Sequence, residues 1–230
     1  SQRDENLLMS MLYLPPEGFP PTRQFDISKA VSIAAVAAVE ELLADAPHPP
    51  VRIKWPNDIY IGDKKVIGIL IENTIASPAG APSLRQCIIG IGANINQREF
   101  HSDAPNPVSL ITFSHALIPL ETARETFIRH LLETLDRFIT SEERSAESTS
   151  ALASAYRMML WRGRGFHPYV SLKASIAPVA PIYTDRALPQ NAGEIFEAEI
   201  ADVLPSGPLC LRLRDGSVRT FNFKEVSPLL

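Results

Sequence analysis

The chain has 230 residues, 45% of them hydrophobic and 21% charged, with a formal net charge of −4. That length holds one catalytic domain and a small appendage around a sizeable core. The mildly acidic balance gives no footprint for nucleic acid or an anionic membrane. Cys87 and Cys210 are too few for a disulfide framework, and neither they nor the five scattered histidines, His101 among them, show metal-ligand spacing. No apolar run reaches the length of a membrane span and no signal peptide is visible, so a cytoplasmic setting is expected.

Residues 7–14 read as a buried strand ended by Pro15 and Pro16. Asp26 or Ser28 caps a helix running to about Ala44, with Val31, Ala35, Ala38 and Leu42 as its apolar stripe. Pro47, Pro49 and Pro50 block its continuation. Lys54-Trp55-Pro56-Asn57-Asp58 then enters as extended chain, because Pro56 pushes Trp55 out of helical space. Residues 59–61 make a short strand, and Gly62-Asp63 is a two-residue hairpin signal with glycine first. The return strand, 65–72, is nearly all apolar, as in a strand covered on both faces. Polar groups thus gather at one end of a buried hairpin, with lysines at its lip. Gly68 inside that strand marks a bulge or a close approach.

Residues 87–95 read as another buried strand, in which Gly90 and Gly92 share one face. A face stripped of side chains there suits a flat ligand or a neighbouring backbone equally well. The G-x-G lacks the third glycine and the following helix of a dinucleotide site. Thr122-Ala123-Arg124-Glu125 is a capping box for a helix whose stripe is Phe127, Ile128, Leu131, Leu132, Leu135, Phe138 and Ile139. A second helix spans about 145–160, with Leu152, Tyr156 and Met159 inward as core, and Gly163 stops it. Residues 169–192 are a Pro- and Ala-rich connection. Beyond them, alternating runs separated by Ser206-Gly207 and Asp215-Gly216 predict about four short strands in a small barrel.

The string Lys54-Trp55-Pro56-Asn57-Asp58, followed by Lys65-Val66-Ile67-Gly68-Ile69-Leu70-Ile71-Glu72, resembles the biotin protein ligase family, and the likeness extends over most of the chain. It implies an α+β fold: a mixed β-sheet with packed helices, then a C-terminal SH3-like β-barrel. The corresponding division is a catalytic domain over 1–166, a connection over 167–192 and the barrel over 193–230. The implied reaction joins biotin to ATP as biotinyl-5'-adenylate and passes biotin to a lysine of a biotin carboxyl carrier protein. Lipoate-protein ligase and a noncatalytic biotin-binding sensor are the alternatives.

By the same resemblance, Lys65 and Asp58 are the catalytic pair, with Lys65 reaching both the biotin carboxyl and the α-phosphate. Neighbouring Lys64 is an ordinary solvated lysine. Gly68, Ile69, Leu70, Gly90 and Gly92 line the biotin cavity. Lys54, Trp55, Asn57 and Asn94 belong to the ATP side, Asn94 with adenine. Mg²⁺ accompanies ATP; no residue is firmly assigned to it, although Asp58 suits its coordination shell. The family's glycine- and arginine-rich loop has no counterpart ahead of residue 7, so a chain incomplete at its N-terminus is expected in preference to a degenerate relative. Arg162-Gly163-Arg164-Gly165 looks like that loop but follows the last helix. Neither nucleic acid nor membrane is an expected partner, and an exposed sheet edge would support a homodimer.

Overall fold

The computed structural model describes residues 5–77, 80–100, 106–140, 146–172, 188 and 191–229. The chain divides into two compact units at Trp161–Arg162. In the first, β1 (Asn6–Tyr13), β2 (Val51–Lys54), β3 (Asp58–Ile61), β4 (Lys64–Ala76) and β5 (Ser83–Asn94) form one sheet in the order β1-β5-β4-β3-β2. Every ladder in it is antiparallel, which corrects the expected mixed sheet. The physical reason is the connections: β2 to β5 follow one another through short turns, and parallel neighbours would need long crossovers.

Helix α1 (Gln24–Leu42) is buried almost all round, its alanines allowing close approach to β2, β3, β4 and to two later helices, α3 (Leu120–Leu135) and α4 (Ala146–Met158). A short helical turn, α2 (Ile111–Ser114), precedes α3. Asp26 does not cap α1. It lies buried in the first turn, accepting from Arg23 at 2.8 Å and Lys29 at 3.2 Å. Nor does Thr122 cap α3, which begins at Leu120 directly after Pro119. Of the stripe on α3 and the π-helical turn after it, Leu132 is exposed and the residues from Phe127 to Ile139 that face the core are buried.

Among the described residues the helices cover one face of the sheet. Ile67, Ile69, Ile89, Ile91 and Ala93 are buried beneath them, whereas Leu8, Leu12, Leu70 and Ile88 on the alternate face are 72%, 61%, 63% and 42% exposed. The strand expected to be covered on both faces, 65–72, and the two expected to be buried, 7–14 and 87–95, are therefore covered on one side. Apolar side chains on the open face had made each run look continuous. The outer edge of β2 is closed by the chain after α4, with Ile53 N–H donating to Met159 O and Trp161 N–H to Ile53 O, both at 2.8 Å.

The second unit is a sheet of β6 (His167–Leu172), β7 (Ala192–Val203), β8 (Leu209–Leu213), β9 (Val218–Phe221) and β10 (Val226–Pro228), in the antiparallel order β10-β6-β7-β8-β9. Among the described residues it is an open ladder with β9 and β10 at its edges, not a closed barrel. Strand β6 occupies the start of the stretch expected to be a connection; residues 173–187 and 189–190 of that stretch lie outside the described residues, as does His101. Gly207 and Gly216 adopt the positive φ their turns require, at 115° and 85°. After α4 the left-handed residues are Arg162, at φ 55°, and Gly165, at φ 78°, not Gly163.

Candidate active site

The site is built on the open face of the first sheet, where register brings small residues into line. Leu8 pairs with Gly92 and Gly92 with Gly68; in the next row Ser10 pairs with Gly90 and Gly90 with Leu70. Directly paired residues of a sheet point to the same side. The three glycines leave the floor of a cleft of about 500 Å³, which Leu8, Met9, Ser10, Ile69, Leu70 and Ile91 complete, with Asp58 and Lys65 at one end. A Cβ on Gly92 would come 3.3 Å from Leu8 Cδ2, and one on Gly90 3.6 Å from the Leu70 carbonyl oxygen.

Lys65 reaches this face through a bulge. Side-chain alternation would put residue 65 on the helix-covered side with Ile67 and Ile69. The β3–β4 register, however, runs Ile59 to Ile67 and then Tyr60 to Lys65, leaving Val66 as the extra residue. Val66 is buried and Lys65 is turned into the cleft. Its ammonium folds back over Gly68, 3.3 Å from where a Cβ would stand, and meets Asp58 Oδ1 at 2.7 Å. Gly68 thus serves a close approach, and the bulge lies two residues earlier. Lys64, on the hairpin's far side, is exposed.

The turn that carries Asp58 is held from below. The Trp55–Pro56 peptide is cis, the Tyr156 hydroxyl donates to Pro56 O at 2.6 Å, and Asn57 Nδ2 donates to Ile69 O at 3.0 Å. Burial pushes the Tyr156 phenol well above its ordinary pKa, so it remains a donor. Lys54 stands opposite Asp58 in the β2–β3 ladder and is 5% exposed. Burial pulls its ammonium down to about 8; the Asp58 carboxylate opposes that fall and the Lys65 cation adds to it.

Of the residues singled out from sequence, Lys65, Asp58, Gly68, Ile69, Leu70, Gly90 and Gly92 converge on one cleft. Lys54, Trp55, Asn57 and Asn94 are not among its lining residues. Asn94 lies on the same face one row beyond Gly92, with Nδ2 donating to Val108 O at 3.2 Å. Sequence reasoning missed Leu8, Met9 and Ser10, whose pairing with β5 spans some eighty residues and leaves no local mark, and it read Tyr156 as core alone. Among the described residues no group of three or more His, Cys, Asp or Glu could hold a metal ion.

The sequence model of the Biotin/lipoate A/B protein ligase family matches residues 2–94. A bifunctional ligase/repressor BirA of Escherichia coli (strain K12) is 33% identical over 135 residues, 58% of this chain and 39% of its own. The BirA of Bacillus subtilis (strain 168) is 35% identical over 133 residues, 57% of this chain and 37% of its own. A biotin–[acetyl-CoA-carboxylase] ligase of Paracoccus denitrificans is 39% identical over 64 residues, 27% of this chain and 25% of its own. The chain thus spans well under half the length of the curated relatives it matches. Among solved structures, the biotin protein ligase of Aquifex aeolicus in complex with biotin and ATP superposes with a TM-score of 0.66 at 19% identity, covering 97% of this chain and 78% of that one. That likeness is one of fold. The family match covers the segment that carries the cleft, and over that segment the chain is similar to biotin protein ligases.

Proposed function

We propose that this chain is an ATP-dependent biotin–protein ligase. The observation that carries the proposal is the Lys65–Asp58 pair at the end of a glycine-floored, apolar-walled cleft. Such a cleft suits a flat ring with an aliphatic arm, and a cation at its end suits the carboxylate. In the first step a biotin carboxylate oxygen attacks the α-phosphorus of ATP and pyrophosphate leaves. Two like-charged groups must approach, and the Lys65 ammonium is placed to stabilise the charge shared between them. In the second step a lysine amine of a biotin carboxyl carrier protein attacks the acyl carbon, forms the amide and releases AMP. Asp58 is assigned to orienting that amine.

The nucleotide is assigned to the side of Lys54, Trp55, Asn57 and Asn94. Of these, Asn57 and Asn94 already donate to backbone carbonyls, so their part in binding is to fix the turn and strand end that face the ligand. Mg²⁺ is assigned to the ATP phosphates and not to a protein cage, since Asp58 is a single carboxylate engaged by Lys65. We assign the ligase chemistry to the unit that ends at Trp161 and an SH3-like character to the unit that follows it, and take the setting to be cytoplasmic. A homodimer through the open β1 edge belongs to the same reading. No helix among the described residues is long and apolar enough to cross a membrane.

The test is transfer. The full chain with ATP, labelled biotin and a carrier domain should leave label in amide linkage on one carrier lysine. Tight biotin binding without adenylate or transfer would favour a sensor, and labelling only with lipoate would reassign the substrate.

A further inference from the structure

We propose that Asp63 is a positioning residue for Lys65, acting with Trp161 and Asn106 as a clamp on the hairpin tip. The bulge at Val66 removes Lys65 from a regular ladder with β3, and an exposed two-residue turn has little of its own to hold such an irregularity. Here it is held from outside the hairpin. Trp161 Nε1 donates to Asp63 Oδ1 at 3.0 Å, and the indole packs 5.4 Å from the ring of Tyr60, the cross-strand partner of Lys65. The Asn106 side-chain amide donates to the Asp63 carbonyl. Asn106 O accepts the Lys65 N–H, and Lys65 O accepts the Val108 N–H, each at 2.9 Å. The backbone groups of Lys65 are thus bonded to the 106–108 segment.

The functional consequence follows from the two-residue period of a strand. Loss of the bulge would return the Lys65 side chain to the helix-covered face, away from Asp58 and the cleft. A shift of about 1 Å in a reacting group costs roughly 100-fold in rate. Asp63 is not among the residues lining the cleft, so its effect passes through Lys65 and should appear in kcat/KM for biotin, because Lys65 meets the biotin carboxylate as well as the reacting phosphate.

This proposal rests on the ligase reading for its kinetic arm, and a second arm is independent of activity. Trp161→Phe keeps a ring against Tyr60 but removes the donor; Asp63→Ala removes the acceptor at an exposed position, where folding has little to lose. Both are expected to lower kcat/KM for biotin adenylation roughly 10- to 100-fold, while Asp63→Asn, which retains an acceptor, stays close to wild type. In a Lys65→Ala background the clamp variants should add nothing. Independently, amide hydrogen exchange at Lys65 and Val108 should quicken by about tenfold or more in Trp161→Phe with unchanged global stability. Unchanged exchange at both amides, or an undiminished kinetic effect in the Lys65→Ala background, overturns the clamp. A wild-type chain that forms no adenylate would overturn the ligase reading alone, and amide exchange would still decide the clamp.

Discussion

Replacing Gly92 by valine separates a ligand floor from a packing contact. The backbone of Gly92 is ordinary strand, since its φ is not among the positive ones, and a β-branched residue suits it. An added Cβ meets Leu8 Cδ2 at 3.3 Å and the Gly68 carbonyl oxygen at 4.0 Å. Leu8 is 72% exposed, so its methyl can swing a few tenths of an ångström into open space. Folding should therefore change by less than about 1 kcal/mol, within the range of surface substitutions. The two γ-methyls, by contrast, stand in the middle of the cleft floor. Forcing a ligand against them costs about 1–3 kcal/mol, as for overpacking a fitted site, or roughly 5- to 150-fold in Kd. Calorimetric titration with biotin and a thermal melt without it read the two quantities separately. A variant that unfolds, or one that binds biotin as the wild type does, refutes the assignment of Gly92 to a ligand floor.

Lys65→Ala should lower biotin adenylation by about two to three orders of magnitude, the loss typical of one fixed charge donor, while Lys64→Ala at its exposed position leaves the rate unchanged; equal, mild effects would contradict the assignment. Lys54 carries a pH prediction. Its folded value of about 8 lies below the ordinary 10.5, so the unfolded chain holds more protons between these values and stability rises with pH across that window. The difference corresponds to about 3 kcal/mol. Urea unfolding should show the wild type gaining on Lys54→Met by about that amount between pH 8 and 10.5; parallel curves would contradict it. Tyr156→Phe removes the donor to Pro56 O and should cost about 1–2 kcal/mol in unfolding free energy, which a denaturant midpoint at constant slope would register.

Much of the site was legible because its signals are local. Gly62-Asp63 names its own turn, with Gly62 at φ 57°, and two glycines two residues apart in a strand must share a face. The bulge at Val66 was not legible, for nothing in Lys65-Val66-Ile67 distinguishes an extra residue from a paired one. One-sided coverage was hidden because Leu8, Leu12, Leu70 and Ile88 are apolar on the open face, so period two is masked by composition. Asp26 looked like a cap because capping is judged from neighbours, whereas its actual role is set by a buried ion pair with Lys29. Tyr156 and Trp161 reach turns about a hundred residues away, a distance at which only the folded chain shows the partner. The open C-terminal ladder likewise depends on which strands end as edges, which alternation does not encode.

The measurement that bears most directly on the ligase reading is ATP–pyrophosphate exchange by the full chain, with biotin, with lipoate and with neither. The account predicts exchange that requires biotin and falls with Lys65→Ala. Exchange absent with biotin, or dependent on lipoate, would contradict it.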